Sequence, residues 1–262
     1  MTTEISSVAR HASFVDRPTA KRIGLVLLAT DHTTERDFER VLVPLGISVH
    51  CNRIAYANPT TAENLRRMIP RLTESAALIL PGEDLDAIYY ACTAASVAIG
   101  DAVVVGAIRE AKPNVPATTP TLAARAAFAA LGVRRLALLT PYSRTVTSDM
   151  AAYFRSAGLA IAHAGCFGLE DDREMARLTE DAIVTAAQAT IGADDEALFV
   201  SCTALRAFEA VDRIERAIGR PVVTSNQAGL WQALHLAGIT PPPDAGGQLM
   251  RVPPAPATAA VA

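Results

Sequence analysis

The chain reads as the same half written twice, and this constrains its fold more than any other feature. Apolar strand-like runs alternate with helical patterns throughout, the pattern of βαβ units around parallel sheets. In the first half, hydrophobic spacing predicts strands at Ile23–Ala29, Ile47–Ile54, Ala87–Ala91 and Val115–Thr118. Helices are expected from Thr34 to about Leu45, from Ala62 (capped by Asn58-Pro59-Thr60) to Leu80, after Cys92 through Arg109, and over Leu122–Leu131. The second half predicts strands at Leu136–Thr140, Leu159–Gly165, Ala197–Ser201 and Pro221–Thr224, with helices at Ser148–Ser156, Arg173–Thr190, Ala207–Ile218 and Ala228–Ala237. Landmarks recur at nearly constant separation: Ile23 with Leu136, Gly46 with Gly158, Cys92 with Cys202, Val115 with Val222, Gly132 with Gly238. Asp-Ala-Ile-Tyr-Tyr-Ala-Cys-Thr-Ala from Asp86 also aligns with Glu-Ala-Leu-Phe-Val-Ser-Cys-Thr-Ala from Glu196. Any two βα units share strands and helices, but not five landmarks in register and a common Cys-Thr-Ala.

The expected fold is therefore α/β: two similar domains, each a short parallel sheet flanked by helices, related by a pseudo-twofold with the active site between them. Residues 21–118 plus about 227–240 should form the first domain and 119–226 the second. Residues 1–20 and the Pro/Ala-rich stretch 241–262 lack any period and are expected to be flexible tails.

Composition narrows the function. With 262 residues, half of them hydrophobic, the chain can bury a real core and is not a disordered protein. A net charge of −3 without a basic block offers nucleic acid no electrostatic footprint. Apolar runs such as Ile23–Ala29 fall far short of the ~20 residues that cross a bilayer. The first residues carry Glu4 and Asp16 and no apolar core, so no signal peptide is expected and a cytoplasmic location is. Four scattered cysteines are too few for a disulfide scaffold, and no CxxC or HxxxH spacing suggests zinc.

Two of those cysteines are the same position in each half. In a parallel α/β sheet, ligands sit beyond the carboxyl ends of the strands, where Cys92 and Cys202 fall just before a helix. First-turn N–H groups and the positive end of the helix dipole favour a thiolate there and also attract a carboxylate. Thr93 and Thr203 add a hydroxyl beside each sulfur. Across a cleft, a thiolate and a thiol on opposite faces of a small molecule can remove a proton from one side and return one from the other. The same pair can instead add to an alkene, allow bond rotation and eliminate. Neither route requires a cofactor. Free cysteine is also a common buried hydrophobe, the reading that suits Cys51 and Cys166, within or beside the second strand of each half.

These stretches resemble a known group. Ile23–Glu35, Ala-Cys-Thr-Ala-Ala-Ser (91–96), Thr-Pro-Tyr (140–142), Ser-Cys-Thr-Ala-Leu-Arg (201–206) and Pro-Val-Val-Thr-Ser-Asn-Gln-Ala (221–228) are similar to the aspartate/glutamate racemase superfamily, in its maleate isomerase/arylmalonate decarboxylase branch. The resemblance covers roughly residues 22–240. Gly-Leu-Glu-Asp-Asp-Arg-Glu-Met-Ala-Arg (168–177) and Leu-Ala-Thr-Asp most resemble the ectoine-utilisation (EutA) group. It implies two α/β domains, catalysis by Cys92 and Cys202, and a substrate carboxylate held by Tyr142; as a turn residue after Pro141, Tyr142 also has an ordinary explanation. Asn226 matches a rim position, although a helix N-cap accounts for it equally. The decarboxylase subgroup keeps only the second cysteine, so Cys92 speaks against a plain arylmalonate decarboxylase.

The chain departs from that pattern twice. Maleate isomerases typically carry Asn after the first strand, where this chain has Asp31. An ionised Asp only accepts hydrogen bonds, so it repels a second carboxylate and suits an ammonium; alternatively Asp31 caps the helix beginning near Thr34. His32 beside it is a proton-relay candidate or a solvated bystander. At Ala94, related enzymes often have Ser, which removes a hydroxyl donor. The resulting expectation is a cofactor-independent isomerase of racemase or epimerase type, acting on a small, amine-bearing carboxylate in ectoine utilisation and able to form a homo-oligomer. The alternatives are maleate cis–trans isomerisation and non-catalytic metabolite binding.

Overall fold

The computed structural model describes residues 2–255. The first half runs β1 (Lys21–Leu28), α1 (Thr34–Leu42), β2 (Ile47–Ile54), α2 (Ala62–Arg66), α3 (Leu72–Ala77), β3 (Ala87–Ala91), α4 (Thr93–Ile99), α5 (Asp101–Ala111), β4 (Ala117–Thr118) and α6 (Pro120–Leu131). The second half runs β5 (Arg135–Thr140), α7 (Arg144–Ser156), β6 (Ala160–Cys166), α8 (Asp172–Met175), α9 (Glu180–Thr190), β7 (Ala197–Val200), α10 (Ala207–Ile218), β8 (Val222–Thr224) and α11 (Ser225–Leu236). The halves form two four-stranded parallel sheets with the same order, β2-β1-β3-β4 and β6-β5-β7-β8. Central strands β1, β3, β5 and β7 are apolar on both faces, as parallel strands covered by helices on both sides must be.

Each half hands its last helix to the other. α6 follows β4 of the first sheet, but its Phe128 meets Phe154 of α7 and Phe199 of β7 edge-on. α11 follows β8 of the second sheet yet lies on β3 of the first, where the Tyr89 hydroxyl donates to the Ser225 carbonyl at 3.0 Å. Gly229 permits that approach, since a Cβ there would sit 2.3 Å from the Tyr89 ring. The two cores thereby merge into one continuous apolar cluster.

Long helices expected from periodicity are interrupted in three places. The stretch from Ala62 to Leu80 splits into α2, a 3-10 turn at Ile69–Arg71 and α3, because Pro70 cannot supply the internal N–H a continuous helix needs. The helix after Cys92 breaks at Gly100, whose φ of +95° ends α4 before α5 begins. Arg173–Thr190 is α8 and then α9, restarted by the Thr179 side chain accepting from Ala182 N at 3.2 Å. The helix after Asn58-Pro59-Thr60 is capped by Thr61 rather than by those residues.

The stretch after Pro241 is not a loose tail as far as Val252. Gly246 O accepts from Gln227 Nε2 at 2.9 Å, Val252 O accepts from Trp231 Nε1 at 2.9 Å, and Leu249 and Met250 are buried. Aperiodic sequence here supplies backbone acceptors to buried side chains of α11, a function that leaves no hydrophobic rhythm. The expectation for residues 256–262 lies outside the described residues. Residues 2–16 are almost wholly exposed. No helix among the described residues is long and apolar enough to cross a membrane.

The Gly229→Ala substitution should destabilise the chain by about 1–3 kcal/mol or more, since Tyr89 is boxed in and cannot yield. Urea unfolding followed by Trp231 fluorescence measures it; an unchanged midpoint would mean that α11 does not press on β3 as described.

Candidate active site

Cys92 and Cys202 come from opposite halves and line one buried pocket with Leu28, Asp31, Ala94, Tyr142, Thr203 and Ala204. Each cysteine is 6% exposed. The free space is about 20 Å³, room for a single water. The pocket is too narrow for anything larger than water, so a substrate fits only when its walls move.

The duplicated cysteines have unlike surroundings. Cys92 follows β3 directly and is the N-cap of α4, its Sγ accepting from Ala95 N at 3.4 Å. Cys202 lies two residues beyond β7, and α10 begins only at Ala207, so no helix dipole starts at this sulfur. Its Sγ instead has the Tyr142 hydroxyl and the N–H groups of Ala204 and Leu205 in its surroundings, all of which favour the thiolate. Cys202 itself adopts φ +128°, a left-handed conformation that costs a non-glycine residue about 1–3 kcal/mol. Burial pushes both thiols up: Cys202 to about 12, with its donors partly offsetting the loss of water, and Cys92 well above the usual thiol range. The richer donor set favours the thiolate at Cys202.

Reciprocal bonds hold these strand ends together. Ser225 Oγ accepts from Cys202 N at 3.0 Å and pairs with Thr93 Oγ1 at 2.8 Å. Thr203 Oγ1 donates to Ala91 O at 3.2 Å, and Thr33 Oγ1 to Ala204 O at 2.8 Å. Asn226 Nδ2 donates to Thr203 O at 2.9 Å and to Asp37 Oδ2 at 2.8 Å, and its Oδ1 lies 3.3 Å from Thr34 Oγ1. Asp31 receives Thr33 N, Thr34 N and Thr34 Oγ1 at 2.7–2.8 Å, closing the first turn of α1 while facing the pocket. Burial raises its carboxyl above the ordinary range.

A family model described as arylmalonate decarboxylase matches residues 68–250, more than half of the chain. The chain belongs to the arylmalonate decarboxylase family. It is 35% identical over 134 residues to an arylmalonate decarboxylase of Bordetella bronchiseptica, a match that spans 50% of this chain and only 55% of that relative. It is 23% identical to the maleate isomerase of Alcaligenes faecalis, over 89% of this chain and 98% of that one. Among solved structures, a Nocardia farcinica maleate cis–trans isomerase, a cysteine-to-serine mutant carrying a covalently bound succinylcysteine intermediate, shares the fold at a TM-score of 0.81. The two are 23% identical, with 88% of this chain and 98% of that chain covered.

Of the residues singled out from sequence, this arylmalonate decarboxylase family member brings Cys92, Cys202, Asp31, Ala94, Tyr142 and Thr203 to one pocket. Thr93 and Asn226 stand behind the wall, both buried and fully engaged in the bonds above. Asn226 does not cap α11; Thr224 does, in a capping box with Gln227. His32 is exposed and does not line the pocket. Sequence reasoning missed Tyr56, Thr60, Leu65, Asp172 and Met175, which complete the pocket. Asp172 and Met175 fall within the Gly168–Arg177 motif, which had a resemblance but no assigned role. Tyr56 and Thr60 carry no motif and reach the site through a loop. Among the described residues, no group of three or more His, Cys, Asp or Glu is placed to hold a metal.

Two consequences are measurable. Cys202→Gly should be more stable than Cys202→Ala by about 1 kcal/mol, because only glycine adopts this φ without strain; paired urea titrations in which alanine equals or exceeds glycine would refute the strain. Burial, only partly offset by Asn226, pushes Asp37 up to about 7. The unfolded carboxyl ionises near ~4, so the folded chain holds a proton that the unfolded chain releases, and stability declines as pH rises from about 4 to 7. Asp37→Asn keeps an acceptor for Asn226 and should lack that decline; parallel melting curves across the range would show the proton lies elsewhere.

Proposed function

We propose that the chain is a cofactor-independent isomerase in which Cys92 and Cys202 act as an opposed acid–base pair on a small carboxylate bearing an amine. The observation that carries this reading is the placement of two buried thiols, one from each half, on a single narrow pocket beside Asp31. In the reaction, the thiolate of one cysteine takes the proton from the carbon next to the substrate carboxylate. The electron pair moves into an enolate whose oxygens face the N–H groups around Ala94 and Ala204 and the Tyr142 hydroxyl, donors aimed where charge develops. The opposite thiol then delivers its proton to the far face. The carbon is inverted and the two sulfurs have exchanged roles. The Tyr142 hydroxyl and the Ala204 and Leu205 N–H groups, which favour the thiolate at Cys202, make it the better starting base. Asp31 supports an ammonium at the reacting carbon, and likeness at 168–177 to ectoine-utilisation proteins agrees with an amine-bearing substrate.

A second reading is cis–trans isomerisation of maleate to fumarate by thiolate addition, bond rotation and elimination. It is favoured by the intact cysteine pair and by the succinylcysteine intermediate of the Nocardia farcinica enzyme. Asp31 and the absence of a hydroxyl at Ala94 weigh against a dicarboxylate.

Removing either thiol, as Cys92→Ala or Cys202→Ala, should lower turnover about 10²–10⁴-fold, the usual worth of a positioned proton donor or acceptor. Turnover with solvent deuterium appearing at the stereocentre supports proton transfer; loss of maleate absorbance without exchange into maleate supports addition. Near-normal activity in both single variants would falsify the two-cysteine mechanism. Because burial raises both thiols, kcat/KM should climb as pH rises above 7 toward 10; a plateau reached below pH 8 would contradict a resting thiol pair.

A further inference from the structure

The pocket wall holds two carboxylates, Asp31 and Asp172, and among the described residues no lysine, arginine or histidine lines it. Asp172 is 6% exposed and comes from the second half, at the first position of α8. It reaches into the first half at Asn58 and Thr30. Its Oδ1 accepts from Asn58 Nδ2 at 2.9 Å, its Oδ2 accepts from the hydroxyl of Thr30, next in sequence to Asp31, and its N–H donates to Asn58 Oδ1 at 3.3 Å. All of these partners are neutral. The adjacent cation, Arg173, turns outward to Asp171. Asp31 is served in the same way, by two backbone N–H groups and one hydroxyl. Arg53, whose charge reaches the Asp31 carboxyl only through space, spends its guanidinium on the Asp31 carbonyl at 2.8 Å and on Glu35 at 2.7 Å.

Two buried carboxylates on one narrow pocket accept hydrogen bonds only from neutral donors, and among the described residues no cation forms an ion pair with either of them. Buried charges are normally paired, and an unpaired one costs far more than a paired one. A dianionic substrate would add like charge to this pocket, whereas an ammonium supplies the missing counter-charge and further N–H donors. Discrimination here is a matter of repelling the wrong ligand as much as attracting the right one.

We propose that Asp172 is a substrate-binding residue that, with Asp31, forms a receptor for a protonated amine, so that the pocket takes amino acids with one carboxylate in preference to dicarboxylates. This rests on reading the pocket as the active site and extends it by naming the amine-binding wall.

The test compares ligands that differ only in the amine: L-asparagine against succinamate, and L-aspartate against succinate, each titrated calorimetrically into the full chain. The amine should be worth at least about tenfold in affinity in the wild type, the scale of a hydrogen bond to a charged group. L-Asparagine should bind more tightly than L-aspartate. In Asp172→Asn the amine effect should shrink by about tenfold, as it should separately in Asp31→Asn. Asn58→Ala removes a neutral donor and leaves the Asp172 charge in place, so it should preserve the amine effect and remains informative if Asp172→Asn does not fold. An amine effect unchanged in Asp172→Asn but abolished in Asp31→Asn would overturn the role of Asp172 while sparing the proposed function. Collapse of the amine effect in folded Asn58→Ala would assign Asp172 to its contact with Asn58 alone. No amine preference in the wild type would overturn both.

Discussion

The site depends on the stitching of two sheet ends by reciprocal hydrogen bonds around Ser225. This serine begins the helix that the second half donates to the first, and its hydroxyl meets both Cys202 N and Thr93 Oγ1. Thr203 returns the bond to Ala91 at the end of β3. Without these contacts each half would present one thiol to solvent beyond its own sheet. With them, the thiols share a pocket whose walls belong to both halves.

The exchange of α6 and α11 makes that arrangement rigid. Each helix fills the core of the half to which it does not belong in sequence, with Phe128 against Phe154 and Phe199, and Tyr89 against Gly229. Close-packed interiors transmit displacement rather than absorb it. The halves also meet through loops at the cleft mouth, where Asn58 meets Asp171 and Asp172, and Thr60 N meets Glu170 O at 2.8 Å.

Duplication supplied two equivalent cysteines and folding made them different. Cys92 keeps the arrangement that a strand-to-helix turn dictates, a sulfur over the first turn of α4. Cys202 has lost the adjoining helix start and has gained a strained φ, a tyrosine hydroxyl and two turn N–H groups. The groups that favour a thiolate therefore gather at one sulfur of the pair.

The sequence by itself determined the repeat, the strands, the strand-end cysteines and much of the pocket, because these follow from local periodicity and from positions that recur in each half. Thr203 was legible because it follows the repeated cysteine, and Asp31 and Tyr142 because the stretches that hold them resemble a known family; all three lie within three residues of a strand end. Tertiary structure alone decided which hydroxyls face the pocket and which brace its back, since Thr93 and Thr203 occupy matching positions and only packing against Ser225 or Ala91 separates them. It alone brought Tyr56 and Asp172 to the thiols, because loops meeting across a cleft have no sequence rhythm. It also decided that the stretch after Pro241 packs as far as Val252, where unpatterned backbone meets the buried amide of Gln227 and the indole of Trp231. Local sequence encodes the elements; the pairing of charges and donors in the pocket exists only once both halves have met.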